Sequence, residues 1–134
     1  DLSKLLIAAQ HYPTLRELST TREKTVFFKK PNYSLGFHNT DHLVNKNNWD
    51  IRLTKTGFTN QAGHCLVLLT TIAKRPVSVV ILDAFGKQTH LAEASRLRKW
   101  METGQSGPVP EVALQYKKEK TLAIKQNGLQ QAKE

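Results

Sequence analysis

Three strand-like segments follow one another in the middle of this chain, and they constrain its fold more than any other feature. They are predicted at residues 49–57, 63–72 and 77–85, where β-branched and other apolar residues are concentrated. The last two are separated by "AKRP", which is short enough for a hairpin loop. Strands joined by such short connections run antiparallel, so the sequence predicts an antiparallel meander.

Helical spacing flanks this meander on both sides. A first helix is predicted in residues 1–12, ended by Pro13, with one apolar face made of Leu2, Leu5, Leu6 and Ala9. A second is predicted at residues 88–102, ended by Gly104, with one face made of Leu91, Ala94, Leu97 and Met101. A further strand is expected at residues 23–29, before a turn-rich segment with one helical turn near residues 41–45.

These elements predict an α+β class, an antiparallel sheet with helices packed on it. The predicted sheet has about four strands, and its first helix has few partners within the chain, which indicates part of a larger fold. We expect residues 1–104 to form the structured portion. Residues 105–134 read as a polar, Lys-rich extension in which Tyr116 docks and about the last 15 residues are mobile.

Length and composition limit the classes of protein that fit. The 134 residues suffice for one modest core, and 39% hydrophobic with 23% charged residues is a globular composition. No apolar run approaches the roughly 20 residues of a membrane span. Because the chain opens on Asp1 rather than on methionine, we expect it to be a processed, cloned or cleaved piece.

Charge and cysteine content exclude other classes. The net charge of +9 would suit a polyanion partner, but the basic residues are spread out and no recognition motif accompanies them, so no nucleic-acid partner is expected. The single cysteine, Cys65, excludes an internal disulfide and a multi-cysteine metal site. "HNTDH" at residues 38–42 has the outline of a zinc motif, but Asp41 is shorter than glutamate and no third ligand is apparent, so no metal is expected.

One stretch of the strand at residues 49–57 does not fit a purely structural role. Lys55, Thr56 and Gly57 interrupt its apolar alternation with a cation, a hydroxyl and a residue without a side chain. A solvated strand end is one interpretation. The other is a binding edge for a carboxylate, where Lys55 and Thr56 donate and Gly57 allows close approach. Since neighbours on a strand point to opposite faces, both can act on one ligand only along the strand's edge.

The wider context favours the second interpretation. "LSKLLIAAQHYP", "FHNTDHLV", "KTGFT", "AGHCL", "DAFGK" and "PVP" occur in this order over roughly residues 1–116. Together they resemble the low-molecular-mass penicillin-binding proteins, the serine D-Ala-D-Ala peptidases, and within them the D-alanyl-D-alanine endopeptidases. The resemblance implies a fold like that of the penicillin-binding proteins and serine β-lactamases.

The resemblance also implies roles for individual residues. Lys55 would sustain the positive field of the cleft, and Thr56 would bind the carboxylate of a peptide or β-lactam. Gly57 belongs to the same substrate-binding motif, and the backbone N–H of Phe58 would be one donor of an oxyanion hole. Further candidates for contact with substrate are Thr59, His64 and Asn39.

The chain departs from the family in lacking two of its three signatures. No serine here begins a Ser-x-x-Lys or a Ser-x-Asn motif, so the nucleophile is absent. Both motifs precede Lys-Thr-Gly in the family, and the chain therefore looks like the C-terminal portion of such an enzyme, inactive by itself. Its expected partner is the missing N-terminal portion that carries those motifs.

The resemblance implies the activity of the whole enzyme. It would cleave D-Ala–meso-diaminopimelate cross-links of peptidoglycan through an acyl-enzyme, bind β-lactam antibiotics, need no cofactor, and work in the periplasm, with loose membrane association left open. Two alternatives stay open, a D-Ala-D-Ala carboxypeptidase fragment and a non-catalytic basic binding module.

Overall fold

The computed structural model describes residues 1–131 of the chain, so Lys133 and Glu134 lie outside the described residues. Its helices are α1 (Leu2–Ala9), α2 (Pro13–Thr20), a 3-10 helix (His42–Asn45), α3 (Thr89–Thr103) and α4 (Glu111–Gln131). Its strands are β1 (Glu23–Lys29), β2 (Asn32–His38), β3 (Ile51–Thr59), β4 (Gly63–Ile72) and β5 (Arg75–Ala84).

The predicted meander is confirmed as a three-stranded antiparallel sheet in the order β3-β4-β5. The connection between β4 and β5 consists of Ala73 and Lys74 alone, both with positive φ, which is the backbone of a tight hairpin turn. β4 lies in the centre and pairs with both neighbours, so it has the longest run of buried residues. The predicted bounds of β4 and of β1 agree with the structure.

Both faces of this sheet are covered by helices. Leu91 and Ala94 of α3 join a buried cluster with the strand residues Leu66, Leu68, Val79 and Ile81. On the opposite face, Leu6 of α1 is buried against Leu53 and Leu69. Successive strand residues point to opposite faces, which is why Leu68 and Leu69 belong to different clusters. The sheet is therefore the middle layer of the molecule.

The structure has a second sheet that the sequence did not predict. β1 and β2 form an antiparallel hairpin, paired from Glu23↔His38 to Lys29↔Asn32, so five strands lie in two sheets instead of about four in one. The residues of β2 include the turn formers Asn32, Ser34 and Gly36, which made its segment look like a loop. Pairing with β1 overrides that local preference.

Two helices were also not predicted. α1 ends at Ala9, before the predicted end at residue 12, and Pro13 instead occupies the first turn of α2, a position that tolerates proline because the first N–H groups of a helix have no partner inside the helix. The segment that forms α4 is polar and carries no strong apolar face, so its pattern gave no helical signal. No helix within residues 1–131 has both the length and the apolar character of a membrane span.

Helix α4 docks on the sheet through the residue named in the sequence prediction. The Tyr116 ring lies 5.0 Å from that of Phe85, and its hydroxyl donates to Asp83 Oδ1 at 3.1 Å. The Lys120 ammonium group forms an ion pair with the same carboxylate. The hydrogen bond that Lys120 donates lowers the pKa of Asp83. The docking of Tyr116 is confirmed. The predicted mobility of about the last 15 residues stays a prediction and falls partly on residues 132–134, outside those described.

Candidate functional site

An open groove of about 630 Å³ runs along the free edge of β3. Its far wall is built by α2 and by the β1–β2 hairpin, and its floor by the loop that leads to the 3-10 helix. Thr54, Lys55 and Thr56 of β3 all line it. Since β4 occupies only one edge of β3, the other edge is available to a ligand. The sequence required such an edge site if Lys55 and Thr56 were to act together, and the structure places both there.

The backbone of β3 presents its hydrogen-bonding groups to this groove at every second residue. The Thr54 N–H donates to Ser19 Oγ of α2 at 3.3 Å, so it points away from β4. Pairing with β4 is regular from Leu53 to Thr59, and the strand period of two therefore turns the N–H groups of Thr56 and Phe58 to the same open edge. The Phe58 N–H thus has the orientation that an oxyanion donor needs.

The side chains of the motif differ in their surroundings. Lys55 is exposed, and its ammonium group donates to the carbonyl of Thr56. The Thr56 hydroxyl is half-buried and lies 2.6 Å from the hydroxyl of Thr40. A Cβ added to Gly57 would find no heavy atom within 4 Å, so the space beside it is open to a ligand. A cation, a hydroxyl and an outward N–H along one edge form a set of donors for an anionic group.

Asn39, a predicted site residue, links α2 to the loop at the floor of the groove. Its side-chain amide donates to the carbonyls of Ser19 and Thr21 at 2.8 and 2.9 Å, and its Oδ1 accepts the N–H of Asp41 at 2.9 Å. It lines the groove, but its described hydrogen bonds hold α2 to the loop. These hydrogen bonds give Asn39 a structural role in the site, and its place in the lining is also compatible with contact with a ligand.

Asp41 anchors β3 from below, a role that the sequence did not reveal. The side chain is 1% exposed, and its Oδ2 accepts the Thr54 hydroxyl at 2.6 Å while its Oδ1 accepts the Leu43 N–H at 2.9 Å. His38, the first residue of the zinc-like pattern, is instead exposed and 3.5 Å from Glu23. Among residues 1–131 no three His, Cys, Asp or Glu side chains form a group that could hold a metal ion.

Three aromatic rings lie at the far end of β3. The exposed Phe58 ring stacks on His64 with centroids 4.3 Å apart, and His64 lies parallel to His90 at 5.6 Å. His90, in the first turn of α3, is 5% exposed, and burial lowers its pKa. Thr59, another candidate, is the last residue of β3, and its hydroxyl accepts the N–H of Ala62 from the following turn at 2.9 Å. Of the predicted site residues, Lys55, Thr56 and Asn39 line the groove, whereas Gly57, Phe58, Thr59 and His64 do not.

Comparison with known proteins gives this geometry a family context. The family model described as D-alanyl-D-alanine carboxypeptidase matches residues 1–86. The chain is 58% identical over 128 residues to the D-alanyl-D-alanine endopeptidase of Escherichia coli, an alignment that covers 96% of this chain and 41% of that protein. It is 60% identical over 117 residues to the D-alanyl-D-alanine endopeptidase of Pseudomonas aeruginosa, covering 87% and 38%. The chain thus spans about 40% of the length of these relatives.

Solved structures show the same fold at lower sequence similarity. Two variants of a Streptomyces DD-transpeptidase each match with a TM-score of 0.64 at 21% identity, over 75% of this chain and 40% of theirs. At that level of identity the likeness concerns the fold alone.

Proposed function

Because the chain belongs to the D-alanyl-D-alanine carboxypeptidase family, we propose that it is the C-terminal portion of a serine D-alanyl-D-alanine endopeptidase. The two curated relatives that it matches at 58% and 60% identity both carry the endopeptidase name, which favours this branch over a carboxypeptidase. The observation that carries the proposal is the arrangement on β3, where Lys55, Thr56 and the Phe58 N–H share one open edge.

In the proposed reaction the chain supplies the binding edge, and a serine of the missing N-terminal portion is the nucleophile. The serine oxygen attacks the carbonyl of the D-Ala–meso-diaminopimelate amide, and the carbonyl oxygen gains the negative charge. The Phe58 N–H donates to that oxygen, Lys55 adds positive potential, and the Thr56 hydroxyl binds the substrate carboxylate. The C–N bond then breaks, the amine leaves with the proton that the serine hydroxyl gave up, and water hydrolyses the resulting ester to release the acid and restore the serine.

A β-lactam would follow the first half of this route. Attack on its strained amide opens the ring and leaves an acyl-serine, with the carboxylate of the drug held at Thr56. This chemistry uses only side chains and backbone groups.

The partner in this proposal is the N-terminal portion that carries Ser-x-x-Lys and Ser-x-Asn. The apolar residues exposed on α1 and on the hairpin support an adjoining segment that covers them; they include Leu5, Ile7, Tyr33, Leu35 and Phe37. The substrate would be a peptidoglycan peptide, and we place the complete enzyme in the periplasm, where that polymer is found.

The test is covalent labelling by a fluorescent penicillin. The chain is assayed alone and after mixing with the preceding segment of its precursor, and the bound label is read after denaturing electrophoresis. We expect labelling of the serine-bearing segment only in the mixture, and a loss of rate with Lys55→Ala. Lys74→Ala, which removes an equally exposed lysine at the β4–β5 turn, is the matched control and should label normally.

Either of two results would contradict the proposal. One is an unlabelled mixture in which mass measurement shows both segments bound together. The other is binding to polyanions that falls steeply with salt and is unaffected by Lys55→Ala or by changes at Thr56, as a non-catalytic basic module would behave.

A further inference from the structure

A stack of three rings joins the buried helix α3 to the strand that carries the proposed oxyanion donor. Phe58 and His64 are paired residues of β3 and β4, and their ring centroids lie 4.3 Å apart with planes inclined by 30°. The His64 ring in turn lies nearly parallel to that of His90, with centroids 5.6 Å apart and planes inclined by 5°. Each ring therefore limits the movement of the next.

The burial of the rings increases from the strand edge to the core. The Phe58 residue is 58% exposed, His64 is half-buried, and His90 is 5% exposed at the start of α3. The next residue, Leu91, belongs to the buried cluster between α3 and the sheet. His90 is thus the fixed end of the stack, and Phe58 is the end that depends on it.

The imidazole of His90 is a buried polar ring, and its surroundings favour the uncharged form. Its Nδ1 is buried without a hydrogen-bond partner among the described residues. The titratable groups that face it are His64 from β4 and Asp41 and His42 from the loop before β3; burial and the two histidines lower the pKa of His90, while Asp41 opposes them. The lowered pKa favours the uncharged ring, which avoids a buried charge beside His64.

The Phe58 backbone lies near the end of an edge strand and is paired on one side. β3 is an edge strand, and Phe58 is the second residue from its end, just before the turn that contains Ala62. β4 alone pairs with β3 here, and the contacts of the Phe58 ring add to that pairing in holding its outward N–H.

We propose that His90 is a positioning residue, which holds the Phe58 N–H in its working orientation through the intervening ring of His64. This inference rests on the proposed function, because that N–H matters only if the groove stabilises an oxyanion. Catalysis of this kind is sensitive to small displacements of a donor, and a donor misplaced by about 1 Å can cost a large part of its effect.

The experiment separates binding from acylation in the complete enzyme. The dissociation constant of the noncovalent penicillin complex and the first-order rate of acylation are obtained from the concentration dependence of labelling. For His90→Ala we expect the acylation rate to fall about 10-fold, part of the 10²–10³-fold effect of a whole donor, while the dissociation constant changes less than about twofold. His90→Phe keeps a flat ring in the stack and should restore most of the rate.

Two further variants make the result specific. Leu91→Ala removes a neighbouring buried side chain outside the stack, and it should lower the melting temperature without slowing acylation of the folded enzyme. His64→Ala removes the intervening ring and should reproduce the loss seen with His90→Ala. It also provides the measurement if His90→Ala does not fold.

The outcomes distinguish this inference from the function on which it rests. If the wild-type enzyme is not acylated, the proposed function fails and the inference fails with it. If the wild type is acylated and His90→Ala and His64→Ala keep its rate, the inference alone is overturned. An equal loss of rate in Leu91→Ala, or a change mainly in the dissociation constant, would also overturn it.

Discussion

At the scale of single residues, the direction of the backbone decides what Lys55, Thr56 and Phe58 can do. Side-chain alternation alone separates Lys55 from Thr56, but the edge of β3 brings both to one groove. The N–H of Phe58 reaches the same edge because it lies two and four residues from the N–H groups of Thr56 and Thr54. The site is therefore a property of the strand's edge and not of either sheet face.

Thr56→Val should weaken the binding of carboxylate-bearing ligands. The change replaces the hydroxyl by a methyl group of nearly equal volume. Losing a hydrogen bond to a charged group costs about 1.5–3 kcal/mol. Noncovalent binding of a penicillin to the complete enzyme would measure this. Thr40→Val is the matched control, since it removes only the hydroxyl that lies 2.6 Å from that of Thr56 and should cost less, about 0.5–1.5 kcal/mol. If wild type and Thr56→Val bind the penicillin with equal affinity, the Thr56 hydroxyl does not bind the carboxylate.

The pKa of His90 predicts a pH dependence of stability. The pKa of the folded state lies below the ordinary value near 6.5, so the unfolded chain binds a proton more readily. The stabilisation is complete above pH 6.5 and is lost as the pH falls through the lower pKa of the folded state. Urea unfolding of the complete enzyme between pH 8 and 5 should show this slope, and His90→Phe should reduce it. An unchanged slope in that variant would assign the effect to other groups.

At the scale of elements, a short loop holds three parts of the site in place. Asn39 binds the end of α2, Thr40 lies against Thr56, and Asp41 accepts the buried hydroxyl of Thr54. The groove is thus shaped by contacts between elements that lie far apart along the chain. The residues of this loop matter because they fix the separation of α2 and β3.

Asp41→Ala should destabilise the protein more than any change of an exposed charge. It leaves the buried Leu43 N–H without an acceptor, which costs about 1–3 kcal/mol for an unsatisfied group, and the Thr54 hydroxyl loses its 2.6 Å bond and keeps only the 3.3 Å contact with the Val67 carbonyl. In Asp41→Asn one acceptor remains for the Leu43 N–H, and Thr54 can accept from the amide while donating to the Val67 carbonyl, which lies at 3.3 Å. Urea midpoints should therefore rank wild type, Asn and Ala in decreasing order. Equal midpoints for the two variants would contradict this account.

At the scale of the whole molecule, the exposed apolar surface marks where the chain is incomplete in the proposed enzyme. Leu5 is 63% exposed and Ile7 50% exposed on α1, although they lie on a helix whose Leu6 is almost fully buried. On the hairpin, Phe37 is 51% exposed beside the groove. Apolar side chains grouped in this way are typical of a surface that another segment covers.

The chain alone should therefore bind a hydrophobic dye such as anilinonaphthalene sulfonate while folded. Mixing with the preceding segment should lower the fluorescence, because that segment would cover α1 and the hairpin. Leu5→Gln should reduce dye binding by the isolated chain, and Lys74→Gln, remote from these surfaces, serves as the control. Fluorescence that the second segment leaves unchanged would show that these faces are not where it binds.

The predictions made from sequence succeeded where local pattern and tertiary environment agree. The family and the fold are confirmed, as are the meander, the end of α3 at Gly104 and the docking of Tyr116. β4 was predicted in full because a central strand packs on both faces, which gives it the unbroken apolar run from Cys65 to Leu69. The roles of Lys55, Thr56 and Phe58 stay predictions that the experiments above address.

Tertiary structure decided the rest. β2 forms because β1 pairs with it, α4 forms a helix whose Tyr116 and Lys120 meet Asp83, and Asp41 is buried because Thr54 and Leu43 surround it. The sequence alone determined which side chains the strand Lys-Thr-Gly offers. Only the folded chain determined that Lys55 and Thr56 share an edge and that His90 lies beside His64, because those relations depend on how separate segments pack and leave no periodic pattern within any one of them.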